Sequence, residues 1–255
     1  MIFKRNKKQD ASQGYMSQRR NILGNSSNFQ VQEAYKTLRT NIRFSAPEEG
    51  CRKFCITSGL AGEGKSITVL NLALSFAEAG QKVLLVDADL RRPTLARLLI
   101  ENGAPGLSNI LAGLCTEEEA IRKELYPNLD VLFSGEIPPN PSELLSNPRM
   151  EEMIQRLSAR YDYIFVDTPP VNIVADACIV ASTLDGVLFV VRQNQSEQDS
   201  VKKGVAQLEI AGVKLMGFIL NGAATEGGKR YKRYRYYKYK SYGYESSAKG
   251  RNERV

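Results

Sequence analysis

The octapeptide GLAGEGKS at residues 59–66 constrains the fold more than any other stretch of the chain. It fits G-x-x-x-x-G-K-[S/T], with Gly59, Gly64, Lys65 and Ser66 at the fixed positions. The β-rich run KFCITS (53–58) precedes it and a helical pattern over 66–79 follows. A strand that turns through glycines straight into a helix presents unpaired backbone N–H groups at the helix N-terminus, and these, with the helix dipole, form an anion site. Gly59, Gly62 and Gly64 let the backbone wrap a polyphosphate. Lys65 is expected to reach the β and γ phosphates of ATP, and Ser66 to offer its hydroxyl to Mg²⁺. Glu63 and Ile67 complete the residues expected around the nucleotide. No G-x-G-x-x-G can be laid over these positions, which excludes a dinucleotide-binding turn.

The rest of the chain alternates in the way such a loop requires. Candidate strands lie at 53–58, 82–87, 129–134, 163–167, 186–192 and 215–221, with helical patterns clearest at 66–79, 149–160 and 197–211. Several strands are continuous apolar runs, the pattern of strands covered on both faces. The expected fold is therefore α/β: a P-loop NTPase fold with a mostly parallel sheet and helices on both faces. It is expected to occupy residues 30–222, between a basic flexible N-terminal arm (1–29) and a disordered, basic, tyrosine-rich tail (223–255). A helix at 33–44 is expected from the four-residue spacing of Ala34, Leu38 and Ile42.

Carboxylates close two of the strands. LLVDADLRRP (84–93) places Asp87 and Asp89 at a strand's carboxyl end, on the sheet edge where open α/β folds bind ligands. Two carboxylates at i and i+2 can divide the work around one Mg²⁺, one holding the ion and the other approaching a hydroxyl that must lose a proton. A third, Asp167, ends YIFVDTPP (163–170) in the position of a Walker B acid.

The net charge of +7 belongs to one segment. Residues 229–244, KRYKRYRYYKYKSYGY, carry seven basic groups and no acid, and removing them leaves 28 basic against 28 acidic residues. Seven of the chain's 12 tyrosines are also there: Tyr231, Tyr234, Tyr236, Tyr237, Tyr239, Tyr242 and Tyr244. No period of 2 or 3.6 would bury them. Cys51, Cys55, Cys115 and Cys178 are scattered without zinc-ligand spacing, which reads as free thiols in a reducing cytoplasm. The longest uncharged apolar run, 66–77, is too short to span a bilayer, and the first ten residues do not resemble a signal peptide.

Together, GLAGEGKS, LLVDADLRRP, IFVDTPP and the upstream EAYKTLRTN resemble the bacterial tyrosine kinases of capsule and exopolysaccharide synthesis, over residues 30 to about 221. The resemblance implies Walker A roles for Lys65 and Ser66, and a second motif, D-x-D-x-R, at Asp87, Asp89 and Arg91. It gives Asp87 the base-like activation of a tyrosine hydroxyl, Asp89 and Asp167 the Mg²⁺, and Arg91 a place in the catalytic set. The family's oligomerisation motif, E-x-x-R-x-x-R, falls on Glu33, Lys36 and Arg39, with lysine replacing the first arginine and losing its bidentate fork. Apart from the resemblance, Asn221 at the end of the last expected strand is the candidate adenine contact.

In Gram-positive members the kinase is a separate cytoplasmic chain. A membrane-bound activator of the polysaccharide co-polymerase type supplies a cytoplasmic segment, which would hold the kinase peripherally at the inner face of the membrane. A ring-shaped homo-oligomer and a cognate tyrosine phosphatase are implied as well. On this reading the tail is a substrate: each phosphorylation adds roughly −1.5 to −2 charges. Two other readings compete. A partitioning-type P-loop ATPase would carry a lysine early in the loop, where this chain has Leu60. A nucleic-acid arm would use the tail's rings for base stacking, and no nucleic acid is expected here, because the tail follows a complete kinase-like site.

Overall fold

The computed structural model describes residues 19–24, 27–45 and 50–223. The elements run α1 (Phe29–Ser45), β1 (Arg52–Ser58), α2 (Lys65–Ala77), β2 (Val83–Asp87), α3 (Leu95–Leu99), α4 (Leu107–Leu111), α5 (Glu117–Ala120) and β3 (Ile121–Tyr126). They continue with β4 (Leu129–Leu132), α6 (Pro141–Leu145), α7 (Pro148–Ser158), β5 (Tyr163–Asp167), α8 (Asp176–Ala181), β6 (Gly186–Arg192), α9 (Gln198–Ile210) and β7 (Leu215–Asn221).

The strands form one seven-stranded sheet in the order β3-β4-β2-β5-β1-β6-β7. Every neighbouring pair is parallel except β3–β4. The register puts Asp87 directly opposite Asp167, and Asp167 opposite Ile56, two residues before the end of β1. With neighbouring strands about 4.8 Å apart, the phosphate loop and the carboxylates share one edge because β5 lies between β1 and β2.

Side-chain alternation covers both faces. Phe54, Ile56, Leu85 and Phe165 point to α2, whose residues are all buried except Ile67. Leu84, Val86, Ile164 and Val166 point to the opposite face, against Met150, Met153, Ile154 and Leu157 of the amphipathic α7. Cys55, Val187 and Phe189 meet α8 and α9 on that second face. The Phe76 ring lies 4.3 Å from Tyr163 and 5.2 Å from Phe165, centroid to centroid. This contact locks the helix that begins at the phosphate loop onto the strand that ends at Asp167; truncating Phe76 to alanine would cost about 3–5 kcal/mol.

The edge strand β3 adds to the six expected strands and runs antiparallel, with a register shift between Arg122 and Tyr126. Residues 19–24, placed in the loose basic arm from the sequence, pack on the domain. Leu23 is buried, its N–H donates to Asn71 Oδ1 on α2 (2.7 Å), and Arg19 Nε donates to the Leu98 carbonyl of α3 (3.0 Å). The four cysteines are free thiols. Among the described residues no helix is long and apolar enough to cross a membrane.

Candidate active site

The loop between β1 and α2 is shaped from several sides. Gly62 and Gly64 adopt left-handed backbone angles (φ 87° and 86°), a conformation that costs other residues roughly 1–2 kcal/mol. At Gly64 a Cβ would also fall 2.2 Å from Asn221 Nδ2. Three loop carbonyls accept from side chains: Leu60 from Ser58 Oγ (2.9 Å), Gly62 from Arg192 Nη1 (3.2 Å) and Glu63 from Asn221 Nδ2 (2.9 Å). The buried Glu63 carboxylate accepts from Leu60 N–H (2.9 Å) and from the Ser196 hydroxyl, which in turn accepts from Arg192 N–H (2.8 Å). Asn221, expected at the adenine, braces the loop through its bond to the Glu63 carbonyl. Arg192 and Ser196 were missed; the available signal was an arginine closing the apolar run 186–191 on the same sheet edge.

Beside the loop, Lys65 Nζ lies 3.5 Å from Asp89 Oδ2 and 3.5 Å from Asp167 Oδ1. Burial works against the lysine's charge, but Asp167, Asp89 and Asp87 outweigh it and raise its pKa. Asp87 is wholly buried, and its two oxygens accept from the N–H groups of Asp89 and Leu95, each at 3.2 Å. Burial first, then the charges of Asp167 and Asp89, push its carboxyl up to about 7. Burial raises Asp167 as well, against the pull of Lys65.

The donor set fits a hard divalent cation. The buried oxygens of Asp167 face the Lys65 ammonium at 3.5 Å but accept no hydrogen bond of good geometry, which leaves them free to bind a further cation. Asp89 and the Ser66 hydroxyl add oxygen donors on the same edge. Among the described residues no cluster of three or more carboxylate, imidazole or thiolate groups forms a cage made by protein alone.

A family model described as an AAA domain matches residues 52–214. Over 190 residues the chain is 42% identical to the tyrosine-protein kinase YwqD of Bacillus subtilis (strain 168), covering 74% of this chain and 80% of that relative. The kinase domain of Escherichia coli tyrosine kinase ETK superposes with a TM-score of 0.74 at 35% identity, covering 78% of each chain. The chain belongs to the bacterial tyrosine kinase family. A more distant likeness is to the septum site-determining protein MinD of Pyrococcus horikoshii, complexed with Mg-ADP (TM-score 0.58, 28% identity, 69% of this chain and 72% of that one). As a bacterial tyrosine kinase with this loop, the chain carries a nucleotide-binding site.

Two of the family's motifs differ in detail from the expectations above. Arg91, expected among the catalytic groups, is held by Asp176: Nε donates to Oδ2 (2.7 Å) and Nη2 to Oδ1 (3.1 Å). In the oligomerisation motif, Lys36 pairs with Glu33 at 2.9 Å on an exposed helix face. Arg39 instead reaches back to α2, donating to the Ser75 carbonyl and to Ser75 Oγ (3.1 Å). Glu33 and Lys36 are therefore presented outward, while Arg39 binds within its own subunit. The tyrosines at 231–244 lie outside the described residues.

Proposed function

We propose that this protein is an ATP-dependent protein tyrosine autokinase that phosphorylates its C-terminal tyrosine cluster and thereby regulates capsular or exopolysaccharide synthesis and export. The observation that carries this reading is the buried cluster of Lys65, Asp87, Asp89 and Asp167 beside a glycine-shaped loop, in a chain 42% identical to a tyrosine-protein kinase. ATP binds with its phosphates against the loop N–H groups and Lys65, which neutralises charge on the transferred group. Asp87 takes the proton of the tyrosine hydroxyl as the oxygen bonds to the γ-phosphorus and the bond from that phosphorus to the departing ADP breaks. Mg²⁺, held by Ser66, Asp89 and Asp167, supplies charge compensation for the phosphate oxygens when bound.

Seven tyrosines among seven basic residues suit this role, because phosphorylation reverses the segment's charge. We infer homo-oligomers that pair through the outward Glu33 and Lys36, a membrane-bound activator that brings the kinase to the inner face of the membrane, and reversal by a phosphatase. The likeness to MinD supports a second reading, ATP hydrolysis without transfer to protein. Incubation with ATP labelled on the γ-phosphate separates the two. Acid-stable label on tyrosine supports the kinase, and label recovered as free phosphate alone supports the ATPase.

A further inference from the structure

The β2 exit loop and the β5 exit segment each bring carboxylates to the site, and one ion pair ties them together. Asp176 is the first residue of α8, nine positions after Asp167, and is wholly buried. Its carboxylate receives the Arg91 fork at 2.7 and 3.1 Å and the Ser142 hydroxyl of α6 at 2.7 Å, and Ser142 Oγ accepts from Arg91 Nη2 at 2.7 Å. Bidentate, charge-assisted bonds of this kind fix direction as well as distance. The anchor end is rigid, because Ala177, Val180 and Ala181 of α8 are buried in the core.

At the other end, Arg91 sits inside the turn that shapes the site. Asp89 N–H bonds Asp87 Oδ1, and Arg92 N–H bonds Asp89 Oδ1 at 2.9 Å. Leu90 is buried and holds the turn in the core without direction; the fork on the next residue adds it. We propose that Asp176 is a positioning residue for phosphoryl transfer, fixing through Arg91 the loop that carries Asp87 and Asp89 relative to the strand end that carries Asp167. This role rests on the kinase reading for its consequence, though not for its geometry. The pair is placed to position rather than to hold the fold together: the Arg91 side chain is 36% exposed, so it can return to water when its partner is lost.

The test compares the wild-type chain with Asp176→Asn, Arg91→Lys and the double variant. Amide hydrogen exchange over residues 88–95 reads the loop directly, and binding of a fluorescent ATP analogue across a Mg²⁺ titration reads its consequence. Asp176→Asn is expected to speed exchange in that segment while β1 and β5 stay protected. The Mg²⁺ concentration for half-maximal binding should rise by up to about tenfold, the low end of what losing a direct hydrogen-bond partner of a metal ligand does, because Asp176 acts through Arg91 rather than on a ligand, with Mg²⁺-free affinity unchanged. Arg91→Lys should act in the same direction, and the double variant should add little, because both changes break one contact. Should Asp176→Asn fail to fold, Arg91→Lys decides alone. Unchanged exchange over 88–95 would overturn the proposal, as would equal losses of affinity with and without Mg²⁺. If wild-type binding ignored Mg²⁺, the metal part of the kinase reading would fall, and the exchange data would still decide for or against the clamp.

Discussion

Lys65 Nζ lies 3.5 Å from Asp167 Oδ1, closing the start of the phosphate-loop helix onto the end of β5 with a buried ion pair. A lysine so placed has two tasks. It compensates carboxylates that burial would otherwise force to protonate, and on the proposed function it is also the cation a phosphate meets on entering the loop.

Replacing Lys65 with methionine removes both. Phosphotyrosine formation should fall roughly 100–1,000-fold, the range for loss of one preorganised charge-stabilising group. Stability at neutral pH should drop by about 3 kcal/mol, less than a rigid ion pair would imply, because the carboxylates can take up protons instead. Phosphotyrosine blotting and thermal melts read the two effects. Wild-type labelling in this variant would contradict the site assignment.

The carboxylates should separate by function. Asp89→Asn and Asp167→Asn are expected to raise the Mg²⁺ requirement for nucleotide binding. Asp87→Asn should reduce tyrosine transfer while leaving that requirement within about twofold, if it accepts the hydroxyl proton. Isothermal titration with and without Mg²⁺, beside transfer rates, distinguishes them. Identical losses of Mg²⁺-dependent binding in all three would contradict the division of roles.

A pH dependence follows from the raised carboxyl of Asp87. Its folded value of about 7 lies above its ordinary 3.8, so the native state binds this proton more tightly than the unfolded chain. The associated stability is complete below about pH 4 and is lost as pH rises to about 7. In chelator, without nucleotide, melting temperature should therefore fall more steeply over that window in the wild-type chain than in Asp87→Asn. The slope is the readout, since asparagine also loses one of the two backbone bonds and shifts the whole curve. Parallel curves would contradict the assignment of that proton to Asp87.

These residues could be found in the sequence because their chemistry demands consecutive positions: a loop, a D-x-D, an aspartate ending an apolar run. The six expected strands are present because each carries a mostly apolar run; β1, β2, β5 and β6 owe it to burial on both faces, while the edge strand β7 leaves Phe218 and Leu220 exposed. Contacts made across the fold were not legible. Asp176 sits in a helix of six residues, too short to show a period, and its partner Arg91 is 85 positions away. Strand β3 reads IRKELY, half charged, with Glu124 in the left-handed region, so nothing in its pattern says strand. Leu23 and its neighbour Ile22 are two apolar residues in a polar stretch, and the core they join and the Asn71 acceptor on α2 lie far off in sequence.

Gly64 tests the loop's shape. Gly64→Ala meets both a strained φ of 86° and the Asn221 amide. It should lower stability by about 2 kcal/mol or more and abolish detectable nucleotide binding. Adding Asn221→Ala removes the clash but not the backbone strain, so stability should recover in part. Full recovery in the double variant would show that the left-handed conformation contributes nothing.

The central claim is that this site moves phosphate from ATP to the tyrosines of the tail. Its most direct test is peptide mapping by mass spectrometry of residues 229–244 after incubation with ATP and Mg²⁺, in the wild-type chain and in Lys65→Met. The account predicts phosphate on several of Tyr231, Tyr234, Tyr236, Tyr237, Tyr239, Tyr242 and Tyr244 in the wild-type chain and about a hundredth of that level or less in the variant. An unmodified tail alongside accumulating ADP and free phosphate, or equal modification in the two chains, would contradict it.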